Sequence, residues 1–163
     1  VIDGNEEDND ALLAEWPLPK WFGAPVWHMH ESLDRLERLA SAWPRVCIGS
    51  SGEFATIGTA AWWGQIARAM RVVCNDDGQP LVKIHGLRML NPEIFSRLPL
   101  SSADSTNVAQ NVGKDKNWRG TYQPPTKEAR AAVMRERIES INAPAQWGFI
   151  VPEVDTLIQG TFL

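Results

Sequence analysis

The chain has 163 residues, of which 44% are hydrophobic and 22% are charged. This length and composition allow a buried core and exclude a disordered or fibrous segment, so one globular unit is expected. The formal net charge of -4 excludes a protein that coats nucleic acid through bulk positive charge, although a local basic patch is still compatible with it.

Cysteine usage and hydropathy further restrict the class of protein and its cellular compartment. Cys47 and Cys74 form neither a zinc-ribbon pair nor a disulfide framework, which favours a reducing, cytoplasmic compartment. No window approaches the ~20 consecutive apolar residues that span a bilayer, so no membrane association is expected. Because Val1-Ile2-Asp3 resembles the end of a strand that runs straight into a helix, we expect that further strands precede this sequence.

Short apolar runs alternate with amphipathic stretches along the chain, a pattern typical of βα units around a parallel sheet. Ser32 has the position of a helix cap, and Pro17 and Pro44 are each expected to end a helix. The predicted elements are a strand end at 1–3, a helix at 9–16, a strand at 25–30, a helix at 33–43, a strand at 45–49, a helix at 59–70, a strand at 82–85, a short helix at 92–97, a strand at 101–104 and a helix at 127–141.

These elements predict about five parallel strands at βαβ spacing. A complete (β/α)8 barrel has eight strands in ~250 residues, so the sequence predicts the C-terminal portion of such a barrel, with the N-terminal strands missing. An open doubly wound sheet is the alternative. The predicted organisation is a partial barrel at 1–106, an exposed polar and basic loop at 107–126, and a C-terminal helix and apolar tail at 127–163 that pack on the barrel.

Polar residues stand where each predicted strand ends. In (β/α) barrels the carboxyl ends of the strands carry the functional side chains, so these positions are the candidate site. The alternative interpretation is that strand ends are polar because they reach solvent. The positions are Asp3, 28–31, 49–53, 85–86 and 102–105, and Asp104 is the carboxylate that the last strand presents.

Other patterns in the sequence allow more than one interpretation. His28, His30, His85 and Asp104 follow the ligand order of metal-dependent amidohydrolases, but histidines that pack with a hydrogen bond and hold no metal explain them as well. The eight tryptophans, among them Trp16, Trp43, Trp62 and Trp63, suit burial more often than base stacking. The cations Lys114, Lys116 and Arg119 form either a solvated charge run or a loop that holds a phosphate backbone.

Two motifs resemble the tRNA-guanine transglycosylase superfamily, especially its phage and bacterial relatives that insert 7-deazaguanines into DNA. The run Arg45-Val-Cys-Ile-Gly-Ser-Ser-Gly-Glu53 is similar to the family's Ile-Gly-Gly-x-x-x-Gly-Glu strand and loop, one residue shorter. The run Lys83-Ile-His-Gly-Leu-Arg-Met-Leu90, followed by Ser101-Ser-Ala-Asp-Ser-Thr106, is similar to a His-Gly strand and a Ser-x-Asp-Ser strand. The match covers roughly residues 1–107.

The resemblance implies a base-exchange enzyme that replaces guanine in a nucleic acid with a 7-deazaguanine. No cofactor and no metal site are expected in this sequence. Asp104 would be the nucleophile that attacks the sugar, and Asp3 would recognise the base. DNA is favoured over tRNA as the substrate. The other implied substrate contacts are His30 or Glu31 in place of the family's Gln-Gly, the backbone at Gly49, and Glu53, His85 and Ser105 around the pocket; Lys114, Lys116 and Arg119 would contact the phosphates.

Besides the replacement of Gln-Gly, the sequence departs from the family at two further points. The Cys-x-Cys-x-x-Cys zinc site of the tRNA enzymes is absent, and the family's general-base aspartate belongs to an early strand that this sequence lacks. A half barrel is therefore expected not to turn over alone, and its partner would be a second copy or the missing half of the barrel. A metal-dependent hydrolase and a non-catalytic barrel that binds a partner are the competing hypotheses.

Overall fold

The computed structural model describes residues 5–106, 112–113 and 122–148. The described part is an α/β structure whose sheet is entirely parallel, in the order β1-β2-β3-β4. The strands are β1 (Val26–His28), β2 (Arg45–Gly49), β3 (Lys83–Leu87) and β4 (Ser102–Ala103). The helices are α1 (Glu6–Ala14), α2 (Leu33–Ala42), α3 (Ala60–Val73), α4 (Pro92–Phe95) and α5 (Lys127–Glu139), with 3-10 turns at Lys20–Phe22 and Gly52–Phe54.

The predicted alternation of strands and helices is confirmed over the described residues. Four of the predicted strands are present, and the strand end predicted at 1–3 lies outside the described residues. Consecutive strands pair with one another, so the described sheet contains none of the reversal in strand order that defines a doubly wound fold.

Local sequence signals explain where the helices begin. The Ser32 hydroxyl accepts a hydrogen bond from the Arg35 amide at 3.1 Å, as predicted for the cap of α2. Helix α1 begins at Glu6, earlier than the predicted start at Asn9, because the Asn5 side chain caps it. The acidic residues Glu6, Glu7 and Asp8 therefore form the first turn of α1, where their charges face the positive end of the helix dipole.

Helices cover one face of the sheet. Side chains alternate between the two faces of a strand, so Trp27, Ile48 and Ile84 point to the same side, where they are buried with residues of α2 and α3. The other face carries the alternate set, His28, Cys47, Gly49, His85 and Ser102, which is more polar and more exposed. The site lies on this second face.

Most of the tryptophans named from the sequence are buried or partly buried. Trp62 is fully buried, Trp43 is nearly so, and Trp63 is partly buried against the core, as expected. Trp16 is an exception, because 38% of its surface is exposed.

The C-terminal region is described in part. Helix α5 is capped by Thr126, contains no buried residue, and ends two residues before the predicted boundary at 141. Ile138 packs against the core, and Trp147 is buried and donates its amide hydrogen to the Gly78 carbonyl at 2.8 Å. Most of the predicted loop at 107–126, and the tail beyond residue 148, lie outside the described residues. No helix within the described ranges combines the length and apolar character needed to cross a membrane.

Gly86, the neighbour of His85 in β3, packs so closely that a side chain has no room. A Cβ atom there would lie 2.8 Å from Leu100 and 2.9 Å from Met89. We expect Gly86→Ala to lower the free energy of unfolding by roughly 1–3 kcal/mol, as overpacking of a core does. Gly64→Ala is the control, because it meets no atom within 4 Å and should stabilise α3 by about 0.5–1 kcal/mol. Urea denaturation of both variants measures this, and equal effects would contradict the close packing.

Candidate active site at the carboxyl ends of the strands

The end of β4 is fixed in place by backbone hydrogen bonds to β3 and to the segment that follows β3. His85 pairs with Ser102, Gly86 pairs with Ala103, and Asp104 follows immediately. The Asp104 amide donates to the Gly86 carbonyl at 3.1 Å, and the Asp104 carbonyl accepts from the Leu90 amide at 3.0 Å. The predicted carboxylate therefore stands on a fixed backbone beside β3, with 56% of its side chain exposed.

One oxygen of this carboxylate is held by an unusual backbone conformation. Asp104 Oδ1 accepts a hydrogen bond of 2.7 Å from the Arg88 amide. Arg88 has φ of 62°, and it is the one non-glycine residue with positive φ in the described part of the chain. Such a conformation is disfavoured for an arginine, and residues of this kind cluster at functional sites.

His85 approaches the other carboxylate oxygen. Its Nε2 atom lies 3.5 Å from Asp104 Oδ2, and its Nδ1 atom lies 2.8 Å from the Ser102 hydroxyl oxygen. The imidazole is partly open to solvent, with 27% of the side chain exposed. The structure thus brings together three residues of the predicted strand ends, His85, Ser102 and Asp104, and adds the Arg88 amide to them.

A second group lies at the ends of β1 and β2. His30 is exposed, and its Nδ1 atom lies 2.7 Å from the Ser51 hydroxyl oxygen. Gly52 has φ of 55°, and a Cβ atom on it would lie 2.9 Å from His30 Cβ, so the loop after β2 packs directly on His30. Gly49 is buried, and its carbonyl accepts a hydrogen bond from the Met29 amide at 2.9 Å. His30 and the loop that begins at Gly49 therefore form one unit.

Glu31 does not point to this surface, which corrects its predicted role as a base contact. Its Oε2 atom accepts from Arg35 Nη1 at 2.6 Å and from the His28 amide at 2.7 Å, and its Oε1 atom accepts from Asn9 at 3.0 Å. Only 1% of the Glu31 side chain is exposed. A buried carboxylate needs such partners, so Glu31 stabilises the fold, and His30 is the accessible member of the pair.

Two of the remaining predicted site residues lie in the part of the chain that the structure describes, and four lie outside it. Glu53 is exposed in the 3-10 turn after β2, and Ser105 is half-buried directly after Asp104. Asp3, Lys114, Lys116 and Arg119 lie outside the described residues.

The four candidate metal ligands, His28, His30, His85 and Asp104, are all described. Within the described ranges, no group of three or more His, Cys, Asp or Glu could hold a metal ion. That geometry gives the amidohydrolase hypothesis no support.

Cys47 joins the site through strand pairing. It lies next to His85 in the register and is 9% exposed. Burial raises the pKa of its thiol, and the negative charge of Asp104 raises it further. Burial alone raises the pKa of the Cys74 thiol to about 11.

Only the pKa of the Cys47 thiol responds to the charge of Asp104, so the reactivity of the two thiols tests whether that charge lies close to Cys47. Because the thiolate is the reactive form, Asp104→Asn should speed alkylation of Cys47 by iodoacetamide at pH 8. Cys74 is the internal control, since its rate should not change. Peptide mass spectrometry reports both rates in one sample, and equal responses of the two thiols would mean that Cys47 does not sense Asp104.

Arg88 and Cys47 were not among the predicted site positions, whereas Ser102 lies within the predicted strand end at 102–105. Ser102 precedes Asp104 by two positions on a strand, and this spacing alone places both side chains on one face. Cys47 becomes visible only when β2 and β3 are paired in register. The backbone conformation of Arg88 has no signal in the sequence, because arginine rarely adopts positive φ.

No protein-family model, no curated protein and no solved structure matches this chain. The functional conclusion therefore depends on the residues and geometry of the chain itself.

Proposed function

We propose that the chain forms part of a base-exchange enzyme of the tRNA-guanine transglycosylase type, which replaces guanine in a nucleic acid with a 7-deazaguanine. The observation that carries this proposal is the Asp104 carboxylate, exposed at the end of β4 with one oxygen held by the Arg88 amide. The motif resemblance assigns the nucleophile to the same residue. A carboxylate that is fixed at one oxygen and accessible at the other suits covalent catalysis.

The proposed fold is the C-terminal portion of a (β/α)8 barrel. Support comes from the consecutive order of the parallel strands and from the helices that cover one face of the sheet. The face turned away from α2 and α3, with Cys47, His85 and Ser102, would line the barrel interior. Further strands, from the full-length protein or from a second copy, would close the barrel and supply the general base. A cytoplasmic location is part of the same proposal.

The exchange needs only the nucleic acid and the incoming 7-deazaguanine. An Asp104 oxygen forms a bond to C1′ of the nucleoside, the C1′–N9 bond breaks, and its electron pair leaves on guanine, which takes up a proton. The glycosidic nitrogen of the incoming 7-deazaguanine then loses a proton and displaces the carboxylate from C1′. This double displacement retains configuration, as in retaining glycosidases. The carboxylate divides one difficult exchange into two easier steps.

The substrate has to reach this carboxylate as an unstacked nucleotide. Enzymes that act on a base take it out of the stack and read it in a pocket. His30 and the loop from Gly49 to Glu53 border the proposed pocket on β1 and β2. Contacts of Lys114, Lys116 and Arg119 to the phosphates, and of Asp3 to the base, stay predictions, as does the preference for DNA over tRNA.

An exchange assay with the full-length protein tests this function. Oligonucleotides of DNA or RNA that carry tritiated guanine are incubated with 7-deazaguanine, and released guanine is counted. We expect release from DNA to exceed release from RNA, and Asp104→Asn to abolish both. Asp76→Asn makes the same chemical change in an exposed turn before β3 and should retain release. Release that persists in Asp104→Asn would overturn the proposal, and stoichiometric zinc in the protein would favour the hydrolase.

A further inference from the structure

His85 bridges two side chains of the neighbouring strand. The imidazole reaches Ser102 with Nδ1 and Asp104 with Nε2, so one ring links the first and third residues of the Ser102-Ala103-Asp104 run. Strand pairing produces this arrangement, because His85 is in register with Ser102 and residues two apart on a strand share a face. The geometry follows from the fold and requires no loop.

We propose that His85 is a positioning residue that fixes the orientation of the Asp104 carboxylate, and that Ser102 and the Arg88 amide complete the clamp. This inference rests on the proposed function, in which Asp104 attacks the sugar. It assigns His85 to the nucleophile itself, whereas the prediction from the sequence placed His85 only in the substrate pocket.

The chemistry of Ser102, His85 and Asp104 determines where the hydrogens lie in the two contacts that join them. An ionised carboxylate only accepts hydrogen bonds, so His85 Nε2 carries the hydrogen that faces Asp104. A neutral imidazole has one N–H, so Nδ1 accepts the hydrogen bond that the Ser102 hydroxyl donates. The Asp104 carboxylate, which can only accept, therefore favours the Nε2–H tautomer of His85, and the Ser102 hydroxyl, which can donate or accept, holds Nδ1 of that tautomer.

The two carboxylate oxygens are held unequally. Oδ1 receives the short bond from Arg88, at 2.7 Å, whereas Oδ2 has the longer contact of 3.5 Å with His85. Oδ2 is therefore the oxygen with freedom to attack C1′, and His85 limits its rotation. Catalytic hydrogen bonds are often long before the substrate binds. In the covalent ester, Oδ1 would be the carbonyl oxygen and would keep its bond to the Arg88 amide.

Nitrogen-15 NMR of the imidazoles tests the clamp directly and needs no turnover. The sequence holds three histidines, so His85→Gln identifies the signals of His85 by their loss. In the wild type at a pH where His85 is neutral, we expect a protonated Nε2 and an unprotonated Nδ1. Asp104→Asn should shift the population toward the Nδ1–H tautomer, because the amide can donate as well as accept. A wild-type His85 that is mainly Nδ1–H, or one that Asp104→Asn leaves unchanged, would overturn the inference.

The rate of covalent adduct formation in the full-length protein gives the second readout. We expect Ser102→Ala to slow adduct formation roughly tenfold with unchanged oligonucleotide binding, because misorientation of a reacting group costs rate more than affinity. Ser102→Thr keeps the hydroxyl and should restore the rate. An unchanged rate in Ser102→Ala, or labelling of Ser102 itself by a fluorophosphonate, would overturn the positioning role. A wild type that forms no adduct but has the predicted tautomer would contradict the base-exchange function and leave the His85–Asp104 clamp standing.

Discussion

Replacing Arg35 by methionine is expected to lower the free energy of unfolding by roughly 3–5 kcal/mol, the cost of breaking a buried ion pair on one side. Arg35 is 1% exposed and donates to Glu31 at 2.6 Å, to Asp10 at 2.7 Å and to the Val26 carbonyl at 2.9 Å. Without the guanidinium, the Glu31 carboxylate stays buried with no cation beside it. Urea denaturation measures the loss.

Arg38 supplies the matched control, because it is the neighbouring arginine on α2 and also contacts Asp10. Its side chain is 58% exposed, and its bonds to Asp10 and Glu6 are 3.0 and 3.1 Å long. Exposed pairs contribute little to stability, so Arg38→Met should change the unfolding midpoint only slightly. The double variant Arg35→Met, Glu31→Leu should recover part of the loss, since it removes both buried charges. Equal destabilisation by the two single arginine variants would contradict the buried role of Arg35.

This ion-pair network also matters for the site. Glu31 accepts from the His28 amide and, through Arg35, is tied to the Val26 carbonyl, so the network holds the end of β1 from which His30 projects. Asn9 and Asp10 bring α1 into the same network. A loss of Arg35 is therefore expected to disorder the His30 side of the pocket as well as to destabilise the fold.

The sequence predicted those features that depend on local signals. Strand β2 was predicted with its observed bounds, because an apolar run lies between Pro44 and a Ser/Gly loop. The cap at Ser32 and the start of α3 after Thr59 follow from hydroxyl side chains that precede amphipathic stretches. Asp104 was predicted as the carboxylate at the end of β4 by the same kind of reasoning.

Features that depend on tertiary contacts could not be predicted in this way. Glu31 has the sequence position of a site residue, and only its pairing with Arg35 shows that it is buried. The contact of His85 with Ser102 requires the register between β3 and β4. Trp16 was expected to be buried from its place on a helix face, but it follows the end of α1 and is partly exposed.

Replacing Asp104 by asparagine is expected to abolish formation of a covalent adduct with the nucleic acid. The amide has nearly the same shape, so it can keep the hydrogen bond from the Arg88 amide and preserve the fold. It lacks the negative oxygen that forms the bond to C1′, and removal of a nucleophile eliminates the covalent route. Oligonucleotide binding should persist, because the change leaves the proposed phosphate-binding residues Lys114, Lys116 and Arg119 in the sequence. Asp76→Asn, which neutralises an exposed turn carboxylate, should still form the adduct.

The most direct test is to map the adduct by mass spectrometry. The full-length protein is mixed with guanine-containing DNA and 7-deazaguanine, quenched with acid during turnover, and digested with a nuclease and a protease. We expect a sugar-phosphate remnant on the peptide that contains Asp104, attached to that side chain, and no remnant in Asp104→Asn. A remnant on any other residue, or no remnant in the wild type while the DNA is bound, would contradict the assignment of Asp104 as the nucleophile.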